Sequence, residues 1–136
     1  MPLKGSCLCG AVQYESSAEP AFSGHCYCVD CQKETGGGHV TIAAVPDATV
    51  RITGPTSAFS KKGASGQTIE RTFCSQCGST LFSRPRAMAG MTMLRAGTLD
   101  NPSQISPRMS IYVSRAQAWD PPNANIPSFP EMPPRS

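Results

Sequence analysis

A chain of 136 residues with a formal net charge of +3 has the length of a single domain. It contains no apolar run near the roughly 18 residues that a membrane-spanning helix requires, which excludes a membrane as partner. The first residues carry no apolar stretch typical of a secretory signal peptide, so a cytoplasmic, reducing location is expected.

The N-terminal part is predicted to hold two short strands and the only clear helix. Residues 5–15 begin as a Gly-flanked turn and continue with Val12 and Tyr14 alternating with polar residues, which indicates a half-buried strand. Residues 22–26 form the second strand candidate. Residues 29–35 are polar, lack Gly and Pro and stop at three glycines, which predicts one or two turns of helix.

Beyond residue 38 the pattern is that of β-strands, in short segments rich in Val, Ile, Thr and Phe that Pro and Gly separate. The strand candidates are 39–45, 49–53, 56–62, 68–73, 80–83, 91–98 and 109–114. We therefore expect a mainly β fold of short antiparallel sheets with one short helix.

The C-terminal segment differs in composition, since six of the 17 residues in 120–136 are proline. It is predicted to be extended and without regular structure. We expect it to belong to the same domain as residues 1–119, with Trp119 packing as an anchor.

Seven cysteines are the main functional signal. In a reducing compartment, cysteines at ligand spacing favour zinc sites over disulfides. They form the pair Cys7-x-Cys9, the triplet Cys26-x-Cys28-x-x-Cys31 and the pair Cys74-x-x-Cys77. Two Zn²⁺ would add four positive charges and seven thiolates would add seven negative ones, so the net charge of +3 would become zero. A nucleic-acid partner is therefore not expected.

The simplest assignment is a closed site of four thiolates from the two pairs and an open site of three from the triplet. The open site keeps one position for water or substrate. Zinc with three thiolates has a net charge of −1, which makes it a poor activator of water and a good partner for a thiol. The sequence therefore predicts two Zn²⁺ per chain, one structural and one suited to thiol chemistry.

Spacing leaves three other arrangements open. A ribbon-like site would combine Cys28-x-x-Cys31 with Cys74-x-x-Cys77. A histidine, His25 or His39, would close the triplet's site and make it structural. In a redox protein the triplet would cycle through a disulfide, with zinc bound only transiently.

The predicted helix would present three charged side chains beside the triplet. Asp30 or Glu34 would relay a proton, and Lys33 would meet a carboxylate of the substrate. The catalytic set is therefore predicted to be Cys26, Cys28, Cys31, Asp30 and Glu34, with Lys33 for binding.

These motifs resemble those of the glutathione-dependent formaldehyde-activating enzyme family, also called the Gfa or CENP-V/Gfa-type domain. The similar segments are GSCLCGAVQYE at 5–15, HCYCVDCQKETGG at 25–37, RTFCSQCGSTLFSR at 71–84, AGTLDNP at 96–102, and Trp119 followed by Pro127 and Phe129. They run in order through almost the whole chain. Tyr27 and Gln32 stand where many relatives have His and Arg.

The resemblance implies a mainly β, Mss4-like fold with two zinc centres, the closed one on Cys7, Cys9, Cys74 and Cys77 and the open one on Cys26, Cys28 and Cys31. It also implies a carbon–sulfur lyase whose substrate is a small thiol conjugate, such as S-hydroxymethylglutathione formed from glutathione and formaldehyde. An oligomer is compatible with this. The alternative from another class is a non-catalytic, zinc-stabilised Mss4-like binding module.

Overall fold

The computed structural model describes residues 2–134 and consists of a three-stranded sheet, a seven-stranded sheet and one α-helix within that range. The helix, α1, is Val29–Thr35. The strands are β1 (Leu3–Ser6), β2 (Gln13–Ser16), β3 (Phe22–Cys26), β4 (Val40–Pro46), β5 (Val50–Thr53), β6 (Thr56–Lys62), β7 (Thr68–Cys74), β8 (Thr80–Pro85), β9 (Met91–Arg95) and β10 (Ser110–Ile111). The mainly β prediction is confirmed.

The small sheet has the antiparallel order β1-β2-β5. In β2 the side chains of Tyr14 and Ser16 are buried and those of Gln13 and Glu15 are exposed, as the alternation predicts. β1 is absent from the predicted strands, because Leu3 is its one large apolar residue. Pairing with β2 buries Leu3 and makes this segment a strand.

The large sheet has the order β10-β3-β4-β9-β8-β7-β6, and its pairs are antiparallel except for β10 with β3. Because side chains alternate along a strand, the sheet has two faces. The core face packs with the small sheet, and its buried residues include Ala43, Val45, Phe82 and Leu94. The helix face carries α1, and its buried residues include Ile42, Ala44 and Met93.

Local signals define the ends of α1. Cys28 is the N-cap, and its Sγ accepts a hydrogen bond from the Cys31 N–H at 3.4 Å. At the C-terminal end Gly36 has φ of 74°, a left-handed conformation that glycine adopts without strain, and its N–H donates to the Gln32 carbonyl at 2.8 Å. The predicted and observed helices therefore have the same bounds.

The segment after β10 folds back along that strand. The Phe129 N–H donates to the Ser110 carbonyl at 2.8 Å, and the Tyr112 N–H donates to the Glu131 carbonyl at 3.1 Å. The prediction that Trp119 is a packing anchor is wrong, because its side chain is 69% exposed. Backbone hydrogen bonds hold this segment instead. Residues 1, 135 and 136 of the predicted domain lie outside the described residues.

In the described range, no helix is both long enough and apolar enough to cross a membrane.

We expect Gly5→Ala to lower the free energy of unfolding by about 1–3 kcal/mol, the usual cost of overpacking. A Cβ at Gly5 would lie 2.4 Å from Tyr14 Cζ and 2.6 Å from the Thr98 carbonyl oxygen. Urea denaturation of the two proteins measures the change. Gly97→Ala is the matched control, because a Cβ there meets no atom within 4 Å, and its effect should stay within about 0.5 kcal/mol. Equal stabilities for the two variants would contradict the packing described around β1.

Candidate metal centres

Four cysteine sulfurs meet where the β1–β2 turn approaches the β7–β8 turn. The Sγ atoms of Cys7, Cys9, Cys74 and Cys77 all lie within 4.8 Å of one another. The Cys7–Cys9 and Cys9–Cys74 Sγ distances are 3.6 and 3.8 Å. Sulfurs placed tetrahedrally at about 2.3 Å from a zinc ion are about 3.8 Å apart, whereas a disulfide requires about 2.05 Å. All seven cysteines are free, and this group fits a closed metal site.

The two turns supply hydrogen-bond donors to these sulfurs. The Val12 N–H donates to Cys7 Sγ at 3.2 Å, and the Gln76 N–H donates to Cys74 Sγ at 3.3 Å. The Ser79 hydroxyl and backbone hydrogen bonds lower the pKa of Cys77 to about 5. Donors of this kind stabilise thiolates, the form in which cysteine binds a metal.

The triplet forms a second group at the junction of β3 and α1. Cys26 ends β3, Cys28 caps α1 and Cys31 lies in its first turn, and their sulfurs are also within 4.8 Å of one another. The group lies on the helix face, where Cys26 and Cys31 are buried together with Val40 and Met93. The cysteines therefore divide into four and three, as the simplest assignment predicts.

Contact among the three sulfurs makes their ionisation unequal. Hydrogen bonds from Cys26 and Cys31 lower the pKa of Cys28 to about 2. Hydrogen bonding with Cys28 raises the pKa of Cys26 to about 12, and bonding with Cys26 and Cys28 raises the pKa of Cys31. Hydrogen bonds among the three cysteines therefore stabilise one thiolate, that of Cys28. Three thiolates at this distance require a cation such as Zn²⁺.

The two alternative ligand sets are wrong. Cys28 and Cys31 group with Cys26 rather than with Cys74 and Cys77, so no ribbon-like site forms from these pairs. The close group of ligand atoms at the triplet contains no histidine within residues 2–134. His25 Nδ1 hydrogen-bonds Thr41 Oγ1 at 2.8 Å, and His39 Nδ1 pairs with Asp120 Oδ2 at 2.5 Å. In the described residues, the triplet therefore offers three protein ligand atoms and no fourth.

A buried ionic network lies beside the triplet, and the sequence interpretation missed two of its members. Arg95 donates to Glu34 through Nε and Nη2 at 2.6 and 2.7 Å, and Arg71 donates through Nε at 2.7 Å. Two arginines and one carboxylate give a net charge of +1. Cys31 and Glu34 are three residues apart and share one side of α1, so the network is about one helical turn from a sulfur.

This network and the triplet interact electrostatically. Burial lowers the pKa of Arg71, but its hydrogen bond with Glu34 and the charge of Cys31 raise that pKa more, and the net shift is upward. The only sequence signal is an arginine in each of two strands, β7 and β9. Pattern analysis cannot show that both arginines turn toward the helix.

The remaining predicted site residues differ in their surroundings. Asp30 Oδ1 accepts a hydrogen bond from Lys61 Nζ at 2.7 Å, and Lys33 is exposed.

Tyr27 is 2% exposed, and Gln32 Nε2 donates to the Tyr27 carbonyl at 2.8 Å. Gln32 also donates to the Arg115 carbonyl at 2.9 Å. Tyr27 and Gln32, the two departures from the family pattern, are therefore part of the framework that holds α1.

Two open surface clefts of about 420 and 480 Å³ lie elsewhere on the molecule. Leu3, Ile105 and Arg108 are among the residues that line the first, and Tyr14 and Asp100 are among those that line the second. Neither lining includes a cysteine. A ligand at the triplet would thus bind on the helix face rather than in either cleft.

Comparison with known proteins gives a family match over most of the chain. The family model described as GFA, glutathione-dependent formaldehyde-activating enzyme, matches residues 2–115. A Halomonas elongata protein named "Putative glutathione-dependent formaldehyde-activating enzyme" is 41% identical over 88 residues, which are 60% of this chain and 55% of that protein. The chain therefore spans about half the length of this curated relative.

A crystal structure of a Rhodobacter sphaeroides protein has a similar fold, with a TM-score of 0.60 at 18% sequence identity. The superposition covers 92% of this chain and 98% of the other, and at this identity it concerns the fold alone. The family model covers most of the chain, including all seven cysteines. The chain belongs to the glutathione-dependent formaldehyde-activating enzyme (GFA) family.

Proposed function

We propose that the protein is a zinc-dependent carbon–sulfur lyase acting on adducts of glutathione, or a related thiol, with formaldehyde or a similar aldehyde. The observation that carries this proposal is the triplet, whose three sulfurs lie within 4.8 Å of one another without a fourth protein ligand in residues 2–134. The family supplies the chemical class of the reactants. A second zinc, on the four-sulfur group, has a structural role.

Cys26, Cys28 and Cys31 would hold the catalytic ion, which would supply a positive charge that favours the thiolate form of a substrate thiol. Three thiolates leave that centre with a charge of −1, and a substrate thiolate adds another. The adjacent network of Glu34, Arg71 and Arg95 carries +1. It therefore offsets part of the repulsion that a fourth sulfur meets.

The reaction forms or breaks one carbon–sulfur bond. In synthesis the thiol gives its proton to solvent, the sulfur bonds to the carbonyl carbon, and the carbonyl oxygen becomes a hydroxyl by taking a proton. Cleavage is the reverse, and it releases aldehyde and thiol. Neither direction requires an oxidant or a reductant.

Asp30 is the better candidate for the proton relay. Glu34 accepts three hydrogen bonds from arginines, and its side chain is only 7% exposed. The Asp30 side chain is 20% exposed and pairs with the more exposed Lys61, so it can exchange protons with water. Lys33, exposed on the same helix, is assigned to a carboxylate of the substrate.

A second candidate function is that of a non-catalytic binding module, and the exposure of strand β6 favours it. β6 is the edge strand of the large sheet, each of its seven residues is exposed, and Phe59 is 61% exposed. An edge of this kind can pair with a strand of another protein. A protein side chain as fourth ligand of the triplet's zinc would favour the module, whereas water or an added thiol favours the enzyme. The Mss4-like fold and the cytoplasmic location stay predictions.

The direct test uses the zinc-loaded protein with glutathione and with S-hydroxymethylglutathione. We expect calorimetry to detect glutathione binding and a formaldehyde assay to detect release from the adduct, because the open position favours a thiol. Adducts of glutathione with other aldehydes extend the search for the substrate. Absence of glutathione binding together with no turnover of any adduct would refute the lyase proposal.

Serine variants of the two groups should separate their roles. Cys28→Ser should reduce the zinc content from two ions to one per chain and abolish turnover, while the fold is retained. Cys74→Ser should lose several kcal/mol of stability, since structural zinc supplies roughly 10–16 kcal/mol in small domains. Zinc analysis and thermal denaturation measure both effects. A stable Cys74→Ser protein, or an active Cys28→Ser protein, would contradict the division of roles.

Lys33→Ala should raise KM for the glutathione adduct about two- to fivefold with little change in kcat, because an exposed ion pair contributes about 0.2–1 kcal/mol. Steady-state kinetics measures the two constants. Lys62→Ala, which removes an exposed lysine of β6, is the matched control and should leave KM unchanged. Equal KM values for both variants would remove Lys33 from the binding site.

A further inference from the structure

Arg71 has hydrogen-bond donors that no described oxygen of the protein accepts. Its residue is 9% exposed, and its Nε donates to Glu34. Within residues 2–134 no protein oxygen accepts a hydrogen bond from its Nη groups, although a guanidinium carries five N–H donors. The one buried side-chain nitrogen or oxygen without a partner in this range is Ser110 Oγ, so the Nη groups reach solvent or sulfur.

Arg95 is the internal comparison. It binds the same carboxylate, but its Nη1 also donates to Ser83 Oγ and to the Met93 carbonyl, both at 3.1 Å, and its Nη2 donates to Glu34. Every nitrogen of Arg95 is therefore used within the protein. The two arginines share a partner, but only Arg71 has Nη groups from which no described protein oxygen accepts a hydrogen bond.

The position of Arg71 brings this free end close to the cysteine triplet. In the strand register Arg71 lies between Phe59 of β6 and Ser83 of β8, near the open edge of the sheet. Its bond to Glu34 fixes it against α1, on the side of the helix that also carries Cys31.

We infer, on the basis of the proposed function, that Arg71 is a catalytic residue whose Nη groups donate hydrogen bonds to the oxygen of the aldehyde or hydroxymethyl group. A sulfur held at the triplet would put the carbon next to it, and the oxygen one bond further, within reach of this guanidinium. Glu34 and Arg95 are positioning residues, because they hold Arg71 without touching the substrate.

Formation and cleavage of the carbon–sulfur bond both require a hydrogen-bond donor at the oxygen of the substrate. As the sulfur lone pair forms the bond to carbon, the π electrons of the carbonyl move to oxygen, which becomes negative before it takes a proton from water. Cleavage reverses these movements, and the hydroxyl proton leaves before the carbon–sulfur bond breaks. Arg71 keeps its own proton throughout and stabilises the negative oxygen electrostatically.

A different role for Arg71 would be to neutralise the thiolates only. The variant Arg71→Lys distinguishes charge neutralisation from hydrogen bonding to the substrate oxygen. It keeps the positive charge but loses the planar guanidinium with its paired N–H donors. If charge alone mattered, Arg71→Lys would behave like the wild type. If the guanidinium binds the substrate oxygen, this variant should bind glutathione normally and react slowly.

The experiment compares wild type, Arg71→Lys, Arg71→Ala and the control Arg51→Ala, all zinc-loaded. Arg51 is exposed on β5 in the small sheet, and its variant should equal the wild type. For both Arg71 variants we expect kcat for S-hydroxymethylglutathione formation to fall about 10²- to 10³-fold, the usual loss on removing one oxyanion donor. Glutathione affinity of Arg71→Lys, which keeps the positive charge, should stay within about twofold of wild type, and two zinc ions per chain should remain bound; Arg71→Ala, which loses the charge, should also bind glutathione more weakly.

Chemical rescue provides a readout that a purely structural role would not change. Millimolar methylguanidinium should restore part of the activity of Arg71→Ala, whereas methylammonium at equal ionic strength should not. Absence of this rescue, wild-type kcat in Arg71→Lys, or a parallel fall of kcat and glutathione affinity in Arg71→Lys would overturn the inference. If the wild type itself turns over no adduct, the proposed function fails, and this inference fails with it.

Discussion

The structure depends on the way the large sheet separates two groups of sulfur atoms. Cys9 and Cys74, 65 residues apart, approach to 3.8 Å, and the four-sulfur group ties the N-terminal turn to the β7–β8 turn. Cys7 and Cys74 belong to the buried cluster between the sheets. Cys26 and Cys31 belong to the separate cluster on the helix face. The fold therefore gathers four thiols where the two sheets approach each other and three on the opposite face of the large sheet.

Local sequence signals predict much of this arrangement. The glycines after residue 35 fix the end of α1, and the spacing of the cysteines predicts their division into four and three. β1 escapes prediction because its burial comes from a partner strand rather than from its own pattern. The exposure of Trp119 and the docking of the C-terminal segment on β10 likewise depend on backbone contacts that composition does not encode.

The ionic network marks the limit of sequence analysis most clearly. Glu34 is a candidate from sequence because it lies near the triplet on a predicted helix. Its partners Arg71 and Arg95 are 37 and 61 residues away, and no periodicity links them to it. Only the pairing of β7, β8 and β9 brings both guanidinium groups under the helix. Sequence patterns therefore predict the members of this site that are close together in the chain, such as the triplet and Glu34. They do not predict the members that strand pairing brings in from a distance.

Buried ion pairs seldom add net stability, because removing charges from water costs about as much as their attraction returns. A network of two arginines and one carboxylate on the helix face thus calls for a reason beyond stability, and the triplet provides one. Zinc with three thiolates and a substrate thiolate would carry −2. The network contributes +1, Asp30 is already paired with Lys61, and the exposed Lys33 can supply a further +1. The helix face is therefore close to neutral when an anionic sulfur ligand is bound and positive when it is not, which favours a thiolate over a neutral oxygen ligand at the open position.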